Sequence, residues 1–113
     1  SMAMNVLIGG YYRRNSGAAQ YSPTFGRGGN AALFSVEILD CDASTSMTVV
    51  VEHKNEEDTS WTTLATLATM TSGVNTQTAS AIKEQLRYAI TINGASASLT
   101  VYANILAPAW RPY

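Results

Sequence analysis

The chain is poor in the residues that usually carry chemistry. Among its 113 residues there is one histidine and one cysteine. A single cysteine, Cys41, cannot close an intrachain disulfide, so a disulfide-stapled scaffold is excluded. One histidine, His53, and one cysteine fall short of a common structural zinc site. Any Ser-His-Asp or Cys-His arrangement would have to use His53, which ends a valine-rich strand beside a charged turn. Charge is scarce too: 13% of the residues, seven basic against eight acidic, with a formal net charge of -1. Soluble domains usually carry about a quarter. No global field attracts nucleic acid, and Arg13-Arg14 is the one local basic feature. No apolar run is long enough to span a bilayer, and the charged-then-apolar start of a signal peptide is missing. No cofactor is expected.

What is present is alternation. Hydrophobic residues make up 46% of the chain, enough for one buried core. In 30–39, Ala32, Phe34, Val36 and Ile38 share one face and Ser35 and Glu37 the other, the period of a half-buried strand. A second strand spans 46–54, with Met47, Val49 and Val51 inward and Thr48 and Glu52 outward; three consecutive valines favour strand over helix. The polar run 55–60 and a strand from Trp61 to Leu67 complete a hairpin. Residues 69–80 read as a short edge strand or an ordered loop, with a weak helical turn around 79–84. In 85–93, Leu86, Tyr88, Ile90 and Ile92 point inward and Arg87 and Thr91 outward. Asn93-Gly94 is a strong turn signal, so 85–93 and 98–106 are expected to pair antiparallel.

These elements predict an all-β fold: an antiparallel sandwich, jelly-roll or immunoglobulin-like, of about six to eight strands, with a small barrel as the alternative. Residues 1–4 read as a tag remnant and N-terminus, and 5–106 as one domain with a long loop or arm at 13–29. Residues 107–113 read as a stiff tail whose prolines forbid a central strand. Extended structure is expected over 5–12, interrupted by Gly9-Gly10. The glycines at 26, 28 and 29 are expected to permit unusual backbone angles; Phe25-Gly26-Arg27-Gly28-Gly29 lacks the ending of a phosphate loop.

Candidate chemistry is thin. Glu37, Glu52 and Glu84 are the carboxylates that a glycosidase pair would draw on, but their expected places are solvated. Asp40, Asp42 and the acidic turn 56–58 lack EF-hand spacing. Aromatics and arginines outside the core remain: Tyr11, Tyr12, Arg13, Arg14, Tyr21, Phe25, Arg27, Trp110, Arg111 and Tyr113 are the candidate partner-binding residues. Phe34, Trp61 and Tyr88 are expected in the core.

Four stretches carry a resemblance. They are Tyr21-Ser22-Pro23-Thr24-Phe25-Gly26-Arg27-Gly28-Gly29 running into Ala31 to Glu37, Val49-Val50-Val51-Glu52-His53-Lys54-Asn55 with its turn into Ser60-Trp61, Ile82 to Tyr88, and Leu106-Ala107-Pro108-Ala109-Trp110. Together, over Tyr21 to Trp110, the chain resembles the small β-sandwich structural proteins of tailed-phage particles, including capsid decoration proteins. The resemblance implies a non-catalytic virion protein, assembled in the host cytoplasm. Such a protein binds a capsid or tail surface, often as a homo-oligomer, and has no nucleic-acid or membrane partner. A carbohydrate-binding sandwich is the alternative, because a strand, polar turn and Trp pattern also occurs there.

Overall fold

The structure, a computed structural model, describes residues 6–13, 17–94 and 99–112. It contains strands β1 (Val6–Arg13), β2 (Gln20–Tyr21), β3 (Phe25–Gly26), β4 (Ala31–Cys41), β5 (Ser46–Lys54), β6 (Thr62–Met70), β7 (Gly73–Ser80), β8 (Gln85–Asn93), β9 (Thr100–Leu106) and β10 (Ala109–Arg111), and no helix among the described residues. The alternation read in the sequence explains the long strands. Met47, Val49 and Val51 of β5 are buried, as are Leu86, Tyr88, Ile90 and Ile92 of β8. Their partners in between point outward.

All pairings are antiparallel, and they build two sheets. In the first sheet, β7 covers β4 from Ala31 to Ile38 on one side. β10, opposite Ala31 to Leu33, must therefore lie on the other side, in line with β9, which pairs Val36 to Cys41. β1 lies beyond β9. In the second sheet, β5 covers all of β8, so β2 and β3 lie in line on its free side, and β6 lies beyond β5. The rows are thus β1, β9 with β10, β4, β7 in the first sheet, and β2 with β3, β8, β5, β6 in the second. This is the eight-row order of a jelly-roll. The sheets end in free edges, so the barrel alternative falls away. Phe34, Val36, Met47, Val49, Val51, Leu67, Tyr88 and Ile105 fill the space between them.

Four expectations are corrected. First, β8 and β9 do not pair with each other. Both sides of β8 are already occupied, so the chain after Asn93-Gly94 crosses to the other sheet instead of closing a hairpin.

Second, residues 17–29 are not a free arm. Gln20 and Tyr21 pair with Ile90 and Ala89, and Phe25 and Gly26 with Leu86 and Gln85. The two registers differ by one residue, the bulge falling around Pro23, which has no N–H to give. Ser22 bridges the break: its N–H donates to the Tyr88 carbonyl at 2.9 Å, and its hydroxyl accepts the Tyr88 N–H at 2.8 Å.

Third, the expected tail is a strand at Ala109–Arg111, resumed past Pro108 by another one-residue shift. It explains Gly28 and Gly29, neither of which has a positive φ. A Cβ on Gly28 would meet the Trp110 ring at 2.7 Å, and one on Gly29 would strike the Arg111 carbonyl oxygen. These glycines serve close approach rather than unusual angles.

Fourth, 79–84 contains no helical turn. Ala81 takes φ 54° and drops Ile82 into the core.

Candidate binding face

The outer face of the second sheet gathers side chains from four separate strands or their flanks. Because Leu86 and Tyr88 point inward, Arg87 must point out. Glu52 lies directly opposite it on β5, and Arg87 Nε donates to Glu52 Oε1 at 2.7 Å. Tyr21 reaches in from the edge strand on one side, its ring centroid 3.9 Å from the guanidinium carbon. Trp61 reaches in from the other side, just before β6, at 4.5 Å. Lys54 Nζ sits 5.5 Å from the same Trp ring. Arg87 is therefore flanked by two aromatic rings and fixed by a carboxylate. Each cation–π contact contributes about 0.5–1 kcal/mol at a partly exposed site. The ion pair, about a fifth exposed on each side chain, adds on the order of 1 kcal/mol after solvent screening. Thr63 and Gln85 lie opposite Glu52 and Lys54 on the same face, with Val50, Ala89 and Thr66 next along it and Thr48 and Thr91 beyond.

Trp61 was expected in the core. It is instead half-buried on this outer face. The turn 55–60 ends one residue before the pairing of Thr62 with His53, so Trp61 falls across from Lys54 on the outward side. Phe34 and Tyr88 are core residues, 0% and 1% exposed, with their rings edge to face at 6.5 Å.

The other candidates scatter. Tyr21 is 55% exposed and belongs to the face just described. Phe25 stacks on Tyr88 at 5.5 Å, and Trp110 packs edge-on against Phe34 at 6.3 Å. Both are thus turned toward their own domain. Tyr12 packs on the core with a buried hydroxyl that has no hydrogen-bond partner among the described residues, and burial pushes its pKa up to about 12. Arg27 is used internally, Nη1 donating to the Ile82 carbonyl. Arg111 is exposed and borders a shallow depression of about 460 Å³ floored by Ala31, Ala32 and Ala79. The backbones of Tyr11 and Arg13 pair with Tyr102 and Thr100; their side chains lie outside the described set. Arg14 and Tyr113 lie outside the described residues. Arg87, Glu52 and Lys54 were not among the partner-binding candidates: Arg87 meets Tyr21, Glu52 meets Arg87, and Lys54 meets Trp61. The outward alternation of β5 and β8 placed Arg87 and Glu52 on one side of their strands, but only the strand register brings them together.

His53, Asp58, Glu84, Asp42 and Cys41 each hold a hydrogen bond to a backbone group. His53, 8% exposed, accepts the Lys83 N–H at Nδ1, 3.1 Å away. Burial, then the Lys83 charge, lower its pKa, and Asp58 partly opposes them. Asp58 Oδ2 accepts the Asn55 N–H at 2.8 Å and lies 3.4 Å from Lys83 Nζ. Glu84 Oε1 accepts the Glu56 N–H at 2.8 Å. Asp42 Oδ2 accepts the Thr100 N–H at 2.8 Å, and the Cys41 thiol donates to the Thr71 carbonyl at 2.7 Å. Glu37 and Glu52 lie on the outer faces of different sheets, so they cannot flank one bond. Among the described residues no three His, Cys, Asp or Glu side chains converge on a metal position.

Fold and face together define a jelly-roll β-sandwich with an arginine–aromatic cluster on one outer face. Compared with the models of known protein families, with curated proteins and with solved structures, the chain matches none.

Proposed function

We propose that this chain is a non-catalytic structural protein of a tailed-phage particle, of the capsid-decoration or minor virion kind. It attaches to a capsid or tail surface through the outer face of the second sheet. The observation that carries this reading is the cluster of Tyr21 and Arg87 on paired strands with Trp61 just before β6. Trp, Tyr and Arg are the residue types that dominate binding energy at protein interfaces. Here they are held in place before any partner arrives, which lowers the ordering cost of binding. The surrounding threonines bring little charge to desolvate. The jelly-roll order supports the reading by analogy only, since capsid and lectin domains both use it. The resemblance over Tyr21 to Trp110 points the same way.

The test is mass spectrometry of density-banded particles from the source strain. Peptides of this chain, retained in the particle band after a high-salt wash, are the expected result. Their absence from particles whose capsid and tail proteins are all detected would overturn the proposal.

A carbohydrate-binding module is the second reading, favoured by the open ring of Tyr21, 55% exposed, on which a sugar face can stack. A glycan array decides for it if a defined glycan binds and Tyr21→Ala abolishes the signal.

A further inference from the structure

A sandwich has four sheet edges, and edges left open invite pairing with another chain unless something blunts them. Three are blunted here. β2 and β3 are one edge row broken at Pro23. β1 has a register shift between Val6 and Ile8, a glycine at φ 136°, and ends on Arg13. β6 shifts register against β5 twice, between Met47 and Val49 and between Val51 and Glu52. β7 is different. Its eight residues, Gly-Val-Asn-Thr-Gln-Thr-Ala-Ser, contain no charge and no proline. It holds one unbroken register along β4 from Ala31–Ser80 to Ile38–Gly73. Among the described residues it pairs on that side alone.

We propose that β7 is a self-association edge, and that its partner is β7 of a second copy of this chain. The two strands run antiparallel about a two-fold axis at Thr76, joining the first sheets of both copies into one continuous sheet. A two-fold contact sets the same surface against itself. Any charge in the strand would therefore lie near its own copy, and like charges across paired strands repel. A strand without charge meets that condition, and β-branched Val74, Thr76 and Thr78 suit cross-strand packing. In this register Val74 lies opposite Thr78 of the partner subunit. Val74 is 61% exposed, and Leu39, 45% exposed, lies next to it at the end of β4. These are two of the three exposed large hydrophobic side chains of the described structure: Val74 is on the edge strand itself, and Leu39 is one strand in, just past the last β4–β7 pair. The contact leaves the Tyr21–Arg87–Trp61 face free, so each dimer presents two copies of it.

The test is sedimentation equilibrium of the full chain over a concentration series, with Thr76→Lys and Thr76→Glu made separately and then mixed. The Thr76 side chain is exposed, and circular dichroism checks that each variant folds. The expected result is a wild-type mass of two chains at high concentration. Each variant alone falls to the mass of one chain, and the equimolar mixture returns to two, because Lys now faces Glu. A wild type that stays at one chain throughout overturns the proposal. So does an oligomer that both variants leave intact, or a mixture that fails to reassociate.

Discussion

On the outer face of the second sheet, one arginine organises everything near it: Glu52 fixes its Nε, and Tyr21 and Trp61 flank its plane. On the outer face of the first sheet, Leu33, Val74, Thr76 and Thr78 carry no charge, and Glu37 lies across from Val74 and Asn104. The inner faces of the two sheets are alike, both rows of Val, Ile, Leu and aromatic side chains packed into one core. The outer faces therefore differ for reasons other than folding. One places interface-type side chains on a fixed scaffold. The other carries Glu37 among uncharged side chains and ends in an open backbone edge. On the proposals above, recognition by side chains belongs to one face and association by main chain to the edge of the other.

The sharpest way to break this contrast is Arg87→Ala. It removes both cation–π contacts and leaves Glu52 without its partner. We expect binding to the particle to fall by about thirtyfold, equivalent to about 2 kcal/mol. Stability in urea should drop by about 1–2 kcal/mol. Trp61→Ala should act more mildly, weakening binding about tenfold and stability by less than about 1 kcal/mol. Trp61→Phe, which keeps a ring beside Arg87, should recover most of the binding. Titration calorimetry against the isolated particle surface protein reads both.

His53 belongs to neither outer face, and acid should act through it. Its pKa in the fold lies below the ordinary 6.5, so the unfolded chain binds the extra proton first. Stability is then full above about pH 7 and declines as pH falls below 6.5 and through the folded value. His53→Asn, which keeps a side-chain acceptor for the Lys83 N–H, should flatten urea midpoints between pH 7 and pH 5. Asp58 titrates in a separate, lower window. Its pKa is lowered, chiefly by the Asn55 N–H, so its contribution is lost only as pH falls below 3.8. The smallest effect is expected on the first sheet: Glu37→Gln should change stability by no more than about 0.5 kcal/mol and leave binding through Arg87 unchanged.

Much of the fold was legible in the sequence because burial on one face enforces a period of two. β5 and β8 run over the residues that alternation marked, and Met47, Val49, Val51, Leu86 and Tyr88 lie in the core. Pairing was less legible, since it depends on which edges are already taken. Asn93-Gly94 reads locally as a hairpin, yet β5 and the β2–β3 row occupy both sides of β8. The segments around Pro23 and Pro108 looked like an arm and a tail because proline interrupts the pattern. The structure shows that a one-residue bulge lets a strand resume beyond each proline. The candidate face was half legible. Tyr21 stood out as an aromatic outside the alternating strands. Trp61 looked like core, and Arg87 and Glu52 looked like ordinary solvated charges. Their meeting depends on three strand registers, a long-range property that local periodicity does not contain.

The central proposal is that the Tyr21–Arg87–Trp61 face is the attachment surface. The most direct measurement is co-sedimentation with tailed-phage particles purified from a strain deleted for this gene. Wild-type chain, the double variant Tyr21→Ala/Trp61→Ala, and Glu37→Gln are each added back. Wild type and Glu37→Gln are expected to travel with the particles while the double variant, folded by circular dichroism, stays in the supernatant. A double variant that sediments as fully as wild type, or a wild type that does not sediment at all, would contradict it.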